Sequence, residues 1–388
     1  MKEIHNILVT GATGGIGSEV MRQASNYPHL NLVPAVRNES YIAQRVANNL
    51  PVRYLDIENS PIDDFYNALE GMDAVIHLAA STSEKNDFDL HDRTNRLATL
   101  KLAVVASHFG LPLIIAGSIV QNAGNEHGVI DENMKPKSNS AYANSKTNAF
   151  NEAKMLERPD SDYKVIQGVP AMTLGSGSNW NRELTRLVRN GATRFGMRAF
   201  LNKEIAWSDQ TDVANMFIQL AANPHLATHD RYFLMNGMIN TNEIFGLFTD
   251  LAGVDMPKTP IARWKAQAVG DTVLLCMKYV HGMIQPISRE VLAFALDGGQ
   301  RQFVATAANE DYGFKFKSFE ETAQETRDNF VLPEGEITTL VHEVSKKIPE
   351  GIGKKATALG IGLMAAKIGA DLLKQNTQQD KESQALKA

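Results

Sequence analysis

The sequence predicts a doubly wound α/β fold, and three observations carry that prediction. Short apolar runs alternate with longer stretches of helical period from Ile7 to about Val169. A glycine-rich turn follows the first run directly. The turn-rich segment Gly175-Ser176-Gly177-Ser178-Asn179 then ends the alternation. Taken in order, the expected strands are Ile7 to Val9, Leu30 to Val36, Val52 to Leu55, Ala74 to Leu78, Leu113 to Ala116 and Lys164 to Gly168. Helices are expected between them, beginning near Gly15, Tyr41, Pro61, Thr94 and Ala141. Crossovers of this kind build a parallel sheet with helices on both faces. Beyond Pro170 helical patterns dominate, at Arg182 to Arg189, Asp212 to Leu220, Thr241 to Leu251, Trp264 to Met283 and Phe319 to Phe330.

At 388 residues the chain exceeds the usual size of one hydrophobic core. Residues 1–175 are therefore expected to form a nucleotide-binding domain. Residues 176–348 form a smaller, mainly helical substrate lobe, with some chain returning to the first domain, and residues 349–388 form a terminal helix or flexible tail. A hydrophobic fraction of 43%, a charged fraction of 21% and a net charge of -5 spread along the chain point away from nucleic acid as a partner. The single cysteine, Cys276, excludes an intrachain disulfide, and no Cys/His spacing suits a metal. Together with an N-terminus that runs straight into an apolar strand, this suggests a reducing, cytoplasmic setting. Within the tail, Ala356 to Leu373 carries Lys367 and Asp371 and is too polar for a membrane span. The open alternatives there are a frayed terminal helix and an amphipathic helix making weak contact with a membrane surface.

The turn Gly11-Ala12-Thr13-Gly14-Gly15-Ile16-Gly17 follows a strand and opens a helix, the context in which such spacing binds a dinucleotide. Gly11 permits the tight turn, Gly14 lets backbone approach a pyrophosphate, and Gly17 allows the helix to pack closely. The helix amides and dipole favour the negative phosphates, so Thr13, Gly15 and Ile16 join the expected contacts. About 20 positions beyond such a turn, an acid suits a free ribose 2′-hydroxyl and an arginine suits a 2′-phosphate. Arg37-Asn38 stands there, which favours NADP, while the nearby Glu39 keeps NAD open. Asp56 and Ile57, after the third strand, are placed to face an adenine ring. Ala79 and Ala80, after the fourth, are small enough to admit the dinucleotide.

Tyr142 and Lys146 lie four apart on a helix expected to begin at Asn139 or Ser140, so both point from one face. A free tyrosine titrates near pH ~10, and its use as a base near neutrality needs a nearby cation. Lys146 can supply that charge, and Ser118, just beyond the fifth strand, can hold a substrate oxygen beside Tyr142. The ordered set Val9-Thr10-Gly11-Ala12-Thr13-Gly14-Gly15-Ile16-Gly17, Val75-Ile76-His77-Leu78-Ala79-Ala80, Ser118, Tyr142-Ala143-Asn144-Ser145-Lys146 and Asp212-Val213-Ala214 resembles the extended short-chain dehydrogenase/reductase family, also called the NAD-dependent epimerase/dehydratase family. The resemblance spans roughly Asn6 to Phe330 and implies a Rossmann-type sheet. It also implies a catalytic set of Ser118, Tyr142 and Lys146, an active-site asparagine at Asn95 and helix-mediated homodimers.

The implied chemistry is hydride transfer between nicotinamide and an alcohol or ketone carbon. Nucleotide-sugar enzymes of the family usually carry an Arg-Pro pair and a Tyr-Gly step after the sixth strand. Here Val169-Pro170 and Leu174-Gly175 stand instead, with Val169 expected against the cofactor. Gln285-Pro286-Ile287-Ser288 and the segment from Tyr312 to Glu320 look more like the three-beta-hydroxysteroid dehydrogenase-like branch, which acts on apolar molecules. Met235, Trp264, Met277 and Met283 could line an apolar pocket, although such residues in helices usually belong to the core. Two alternatives stay open: a nucleotide-sugar epimerase or dehydratase, and a non-catalytic NADP-binding sensor.

Overall fold

The six expected strands all form, each within two residues of its expected ends: β1 (Asn6–Thr10), β2 (Asn31–Val36), β3 (Arg53–Tyr54), β4 (Ala74–His77), β5 (Leu113–Ala116) and, after a short β6 (Gly128–Ile130), β7 (Val165–Pro170). The computed structural model describes residues 3–82, 88–125, 127–138, 140–175, 178, 180–181, 184–185, 188, 201–256 and 301–329. The helices expected at 264–283 and 356–373, most of that at 182–189, and Cys276, Trp264, Met277, Met283 and Gln285-Pro286-Ile287-Ser288 fall outside the described residues.

The chain runs from β1 to β2 and β3 on one side of the sheet, then crosses back to lay β4, β5 and β7 on the other, all in parallel. Ile7 lies opposite Leu32 on one flank and Ala74 on the other. The strand order therefore reverses between β1 and β4, and a crevice opens outside their carboxyl ends, where ligands of such sheets collect.

Alternate residues of each strand bury into opposite layers. Ile7, Val9, Ile76, Ile114 and Ile166 pack with Val20 of α1 (Gly15–Gln23) and Phe217 of α7 (Gln210–Ala222). Leu8, Val33, Val75, Leu113 and Val165 pack with Phe65 of α3 (Ile62–Leu69), Leu102 of α5 (Ala98–Phe109) and Phe150 of α6 (Ala141–Lys154). Both faces of the sheet being covered is why its strands read as nearly unbroken apolar runs. Of the remaining helices in this half, α2 (Glu39–Ala47) follows β2, and α4 (Phe88–His91) runs through a π-helical turn, Asp92–Leu97, into α5.

Beyond Pro170 the structure departs from the helix-dominated pattern. The helices expected at 212–220, 241–251 and 319–330 are present as α7, α8 (Thr241–Ala252) and α10 (Phe319–Asn329), joined by a short α9 (Ala307–Tyr312). Between them lie unexpected strands. β10 (Arg231–Leu234) adds a seventh parallel strand beside β7. β8 (Met172–Leu174), β9 (Glu204–Asp209) and β11 (Gly237–Asn240) form a three-stranded sheet, and β12 (Arg301–Phe303) pairs with β6. These strands are three to six residues long, and β10 is buried throughout, so no sustained polar alternation marks them. Tyr312, Phe314 and Phe316 pack against the same apolar layer as Ile7 and Phe217.

Asp209 caps α7 by accepting the Asp212 amide at 3.0 Å. It also takes the Lys317 ammonium at 3.1 Å and the Thr322 hydroxyl at 2.9 Å, which fixes α10 against the start of α7. Among the described residues no helix is long and apolar enough to cross a membrane, and no group of three or more His, Cys, Asp or Glu is placed to hold a metal.

Candidate active site

The glycine turn is shaped by atoms that are missing. Gly11 has φ +68, and a Cβ there would stand 2.6 Å from the Ala79 nitrogen. A Cβ on Gly17 would stand 2.0 Å from the Gly11 carbonyl oxygen, so only glycine lets α1 lie this close to the turn it leaves. The Gly14 amide donates to that same carbonyl at 2.9 Å, and Gly14, in extended conformation, precedes α1 without a side-chain cap. No acid sits in the first turn of α1. No carboxylate of that turn therefore competes for its leading amides and positive dipole end, while Thr13 and Gly14 are exposed in front of them. The turn is braced from behind by Gln210, whose Nε2 donates to the Gly15 carbonyl at 2.7 Å. Beside it Thr211 donates to the buried Glu19 carboxylate at 2.9 Å.

At the ribose side, Arg37 extends into solvent with 71% of its side chain exposed, and its Nη1 lies 3.8 Å from Asp56 Oδ2. Burial opposes ionisation of Asp56, but the Asn59 side chain, the Glu58 and Asn59 amides and Arg37 together hold its carboxyl below the ordinary range. Ile57 is half-buried, packed against the layer that contains Phe65 and Leu69. Ala79 and Ala80, just beyond the end of β4, are half-buried.

Ser118, Tyr142 and Lys146 come together across the carboxyl edge of β5. Ser140 caps α6, its hydroxyl accepting the Ala143 amide at 3.1 Å, and this sets Tyr142 and Lys146 one turn apart on the inward face. Burial raises the Tyr142 phenol to about 12, and a hydrogen bond with Ser118 works in the opposite direction. Lys146 is only 3% exposed, and burial pulls its ammonium down to about 8. A phenol this reluctant to ionise becomes a base near neutrality only when cations face it.

Three supporting residues escaped sequence reasoning. Gln121, fully buried, accepts the Ser118 amide at 2.9 Å and donates to Thr147 of α6 at 3.0 Å, so it ties the serine to the tyrosine helix. His91 packs edge-on to the Tyr142 ring at 5.6 Å. Gln210 braces the glycine turn as described. Each is a polar or aromatic residue whose role rests on partners distant in sequence; only the capping spacing of Ser118 and Gln121 could have pointed to one of them.

Two expected residues sit further inside. Asn95 is 1% exposed in the π-helical turn: its Oδ1 accepts the Ser81 amide at 2.8 Å, and its Nδ2 donates to the Ser81 carbonyl and to Ser145 Oγ, both at 3.1 Å. Ser145 in turn donates to the Tyr142 carbonyl at 2.7 Å. Asn95 thus clamps the strand-end loop to the tyrosine helix. Val169 is fully buried with Ile119, Ile130 and Phe233, and Met235 lies in the same cluster.

A dinucleotide fits these residues: the glycine cradle would be filled by any Cβ, and the helix end behind it is free of side-chain caps. Comparisons with known proteins agree. The profile of the NAD dependent epimerase/dehydratase family matches residues 7–233. No curated protein sequence matches significantly. Among solved structures, gox2253 is similar with a TM-score of 0.63 and 20% identity over 85% of this chain and 98% of that one. MoeE5 in complex with UDP-glucose and NAD is similar with a TM-score of 0.57 and 19% identity, covering 83% and 97%. The dTDP-4-dehydrorhamnose reductase of Bacillus anthracis in complex with NADP has a TM-score of 0.56 and 17% identity, covering 84% and 98%.

Proposed function

The chain belongs to the NAD-dependent epimerase/dehydratase family, and from that premise we propose that it is an NAD(P)-dependent oxidoreductase acting at an alcohol or ketone carbon. The observation that carries the reading is the meeting, at one sheet edge, of a turn with no room for a Cβ at Gly11 or Gly17 with a Ser118–Tyr142 pair and a buried lysine one helical turn further on. A bound nicotinamide supplies the hydride chemistry.

The protein's own groups do the rest. Tyr142 takes the hydroxyl proton in oxidation and returns it in reduction. Ser118 holds the substrate oxygen and donates to it as negative charge develops there. Lys146, protonated at pH 7 because its value of about 8 lies above that pH, favours the phenolate and can hold the nicotinamide ribose. Gly11, Thr13, Gly14, Gly15, Ile16 and Gly17 would hold the pyrophosphate. Ala79 and Ala80 would line the path, and Asp56 and Ile57 would flank the adenine. Arg37 would meet a 2′-phosphate, which favours NADP over NAD.

The substrate is assigned to the apolar alcohols and ketones because Val169-Pro170 replaces the Arg-Pro pair of nucleotide-sugar enzymes. A nucleotide-sugar epimerase or dehydratase is the second reading, favoured by the UDP-glucose carried by a similar structure. Absorbance of the reduced nicotinamide, followed with a panel of alcohols, ketones and UDP- and dTDP-sugars, separates the two. Net cofactor turnover with an apolar ketone is expected. Conversion of a nucleotide sugar without net turnover would select the second reading, and failure to bind either NADPH or NADH would remove both.

A further inference from the structure

His77 ends β4 at the floor of the crevice, fully buried, with threonines on both sides. Its Nδ1 lies 2.7 Å from Thr10 Oγ1 on β1, and its Nε2 lies 2.8 Å from Thr99 Oγ1 on α5. The hydrogens of this chain can be assigned by counting. Thr99 donates its single hydroxyl hydrogen to the Asn95 carbonyl, 2.5 Å away, and a carbonyl can only accept. Thr99 is therefore left to accept, so the His77 Nε2 carries a hydrogen and donates it. A neutral ring then accepts at Nδ1 from the Thr10 hydroxyl, which in turn accepts the Ala79 amide at 3.3 Å. Every hydrogen points one way, from Ala79 through Thr10, His77 and Thr99 to Asn95. A protonated ring would leave the Thr10 hydroxyl hydrogen without this acceptor. Consistently, burial first and the Lys146 charge second drive the ring's ionisation down to about 3.

The two ends of the chain belong to the two halves of the site. Thr10 immediately precedes Gly11, and Ala79 is the residue whose nitrogen a Gly11 Cβ would strike. Asn95 holds Ser81 and Ser145, and Ser145 holds the Tyr142 carbonyl. We propose that His77, as the neutral Nε2–H tautomer, is a positioning residue that sets the spacing between the glycine turn and the Asn95–Tyr142 side of the crevice. The inference rests on the proposed dinucleotide site for its consequence, though not for its hydrogen-bond geometry.

Two substitutions divide the ring into its halves. His77→Asn keeps an acceptor where Nδ1 stands and so keeps the Thr10 link, whereas His77→Gln keeps a donor near Nε2 and so keeps only the Thr99 link. Both should lower the melting temperature by similar amounts. NADPH and NADH titrations of the full chain should find affinity retained in His77→Asn and weakened about tenfold in His77→Gln, the loss of roughly one buried hydrogen bond on the cofactor side. A merely structural histidine would move affinity and stability together in both variants, and that result overturns the proposal. The wild-type ring gives an independent arm: nitrogen NMR of labelled histidine should show one Nε2–H ring that does not titrate between pH 5 and 9. An Nδ1–H tautomer, or titration in that range with Lys146 as the facing charge, also overturns it. If the wild type binds neither nucleotide, the proposed function fails, and the ring tautomer alone decides the hydrogen-bond assignment.

Discussion

The two halves of the site are built on opposite principles. Around Gly11 and Gly17 the fold works by leaving atoms out, with backbone as close to backbone as 2.0 Å from a would-be Cβ. Around Tyr142 it works by burying ionisable atoms, with a phenol raised to about 12 and a lysine lowered to about 8. The first half is a matter of shape and tolerates no additions. The second is a matter of charge and tolerates no deletions. Two changes of a single heavy atom each should therefore fail in different ways.

The largest effect is expected from Tyr142→Phe, which removes one oxygen from the charged half. Turnover should fall by about 10³-fold, the scale of lost general acid–base catalysis, while NADPH affinity and melting temperature stay near wild type. Initial rates and a binding titration on the same preparation check this; turnover within tenfold of wild type would deny Tyr142 its role. Gly17→Ala should do the reverse by adding one carbon against a backbone carbonyl. Because backbone cannot rotate away as a side chain would, α1 must shift, at a cost of about 3 kcal/mol of stability and with most of the cofactor affinity. Denaturant unfolding and NADPH titration would show both losses, and an unchanged affinity would mean that α1 does not present the phosphate site.

Within the charged half, Ser118→Ala separates positioning from pH. The hydroxyl's bond lowers the Tyr142 value, so its loss leaves burial unopposed and the phenol ionises at higher pH. Alcohol oxidation needs the phenolate, so the pH at which its rate rises should move upward. The rate should also drop by about 10²-fold, as for loss of one oxyanion donor. A pH–rate profile that does not move, or that moves to lower pH, would place Ser118 outside hydrogen-bonding range of Tyr142 during turnover.

The same contrast explains what the sequence made legible. The β1 turn and α1 are encoded locally, by glycine spacing between an apolar run and a helix, and the ends of β1 and the start of α1 fall within one residue of those expected. Ser118, Tyr142 and Lys146 were legible as a candidate set through their order and spacing. Their supports were not, because Gln121, His77 and Gln210 are polar residues whose burial depends on partners far along the chain. Strand β10 shows the same difficulty. Its first residue, Arg231, reads as surface, yet its guanidinium is buried and donates to Gln167, Met134 and Asn122, all 64 or more positions away. Asn95 is expected near the active site by resemblance alone, and its clamp on Ser81, made from within the π-helical turn, was announced by no periodicity.

The smallest predicted effect tests where the shape-based half borrows charge. Arg37 is mostly solvated and its contact with Asp56, at 3.8 Å, is that of an exposed ion pair, worth little to stability. Arg37→Gln should therefore leave the melting temperature unchanged. A 2′-phosphate would offer the guanidinium a doubly charged partner with several acceptor oxygens, a stronger attraction than the single Asp56 carboxylate. NADPH should accordingly bind about five- to tenfold more weakly to the variant, while NADH, which lacks that phosphate, binds as before. Because the site is open to solvent, the wild-type preference for NADPH should shrink as ionic strength rises, and the variant's affinities should respond less. If wild type binds NADH as tightly as NADPH, or if Arg37→Gln weakens both equally, Arg37 reads no phosphate. The cofactor half would then rest on shape alone.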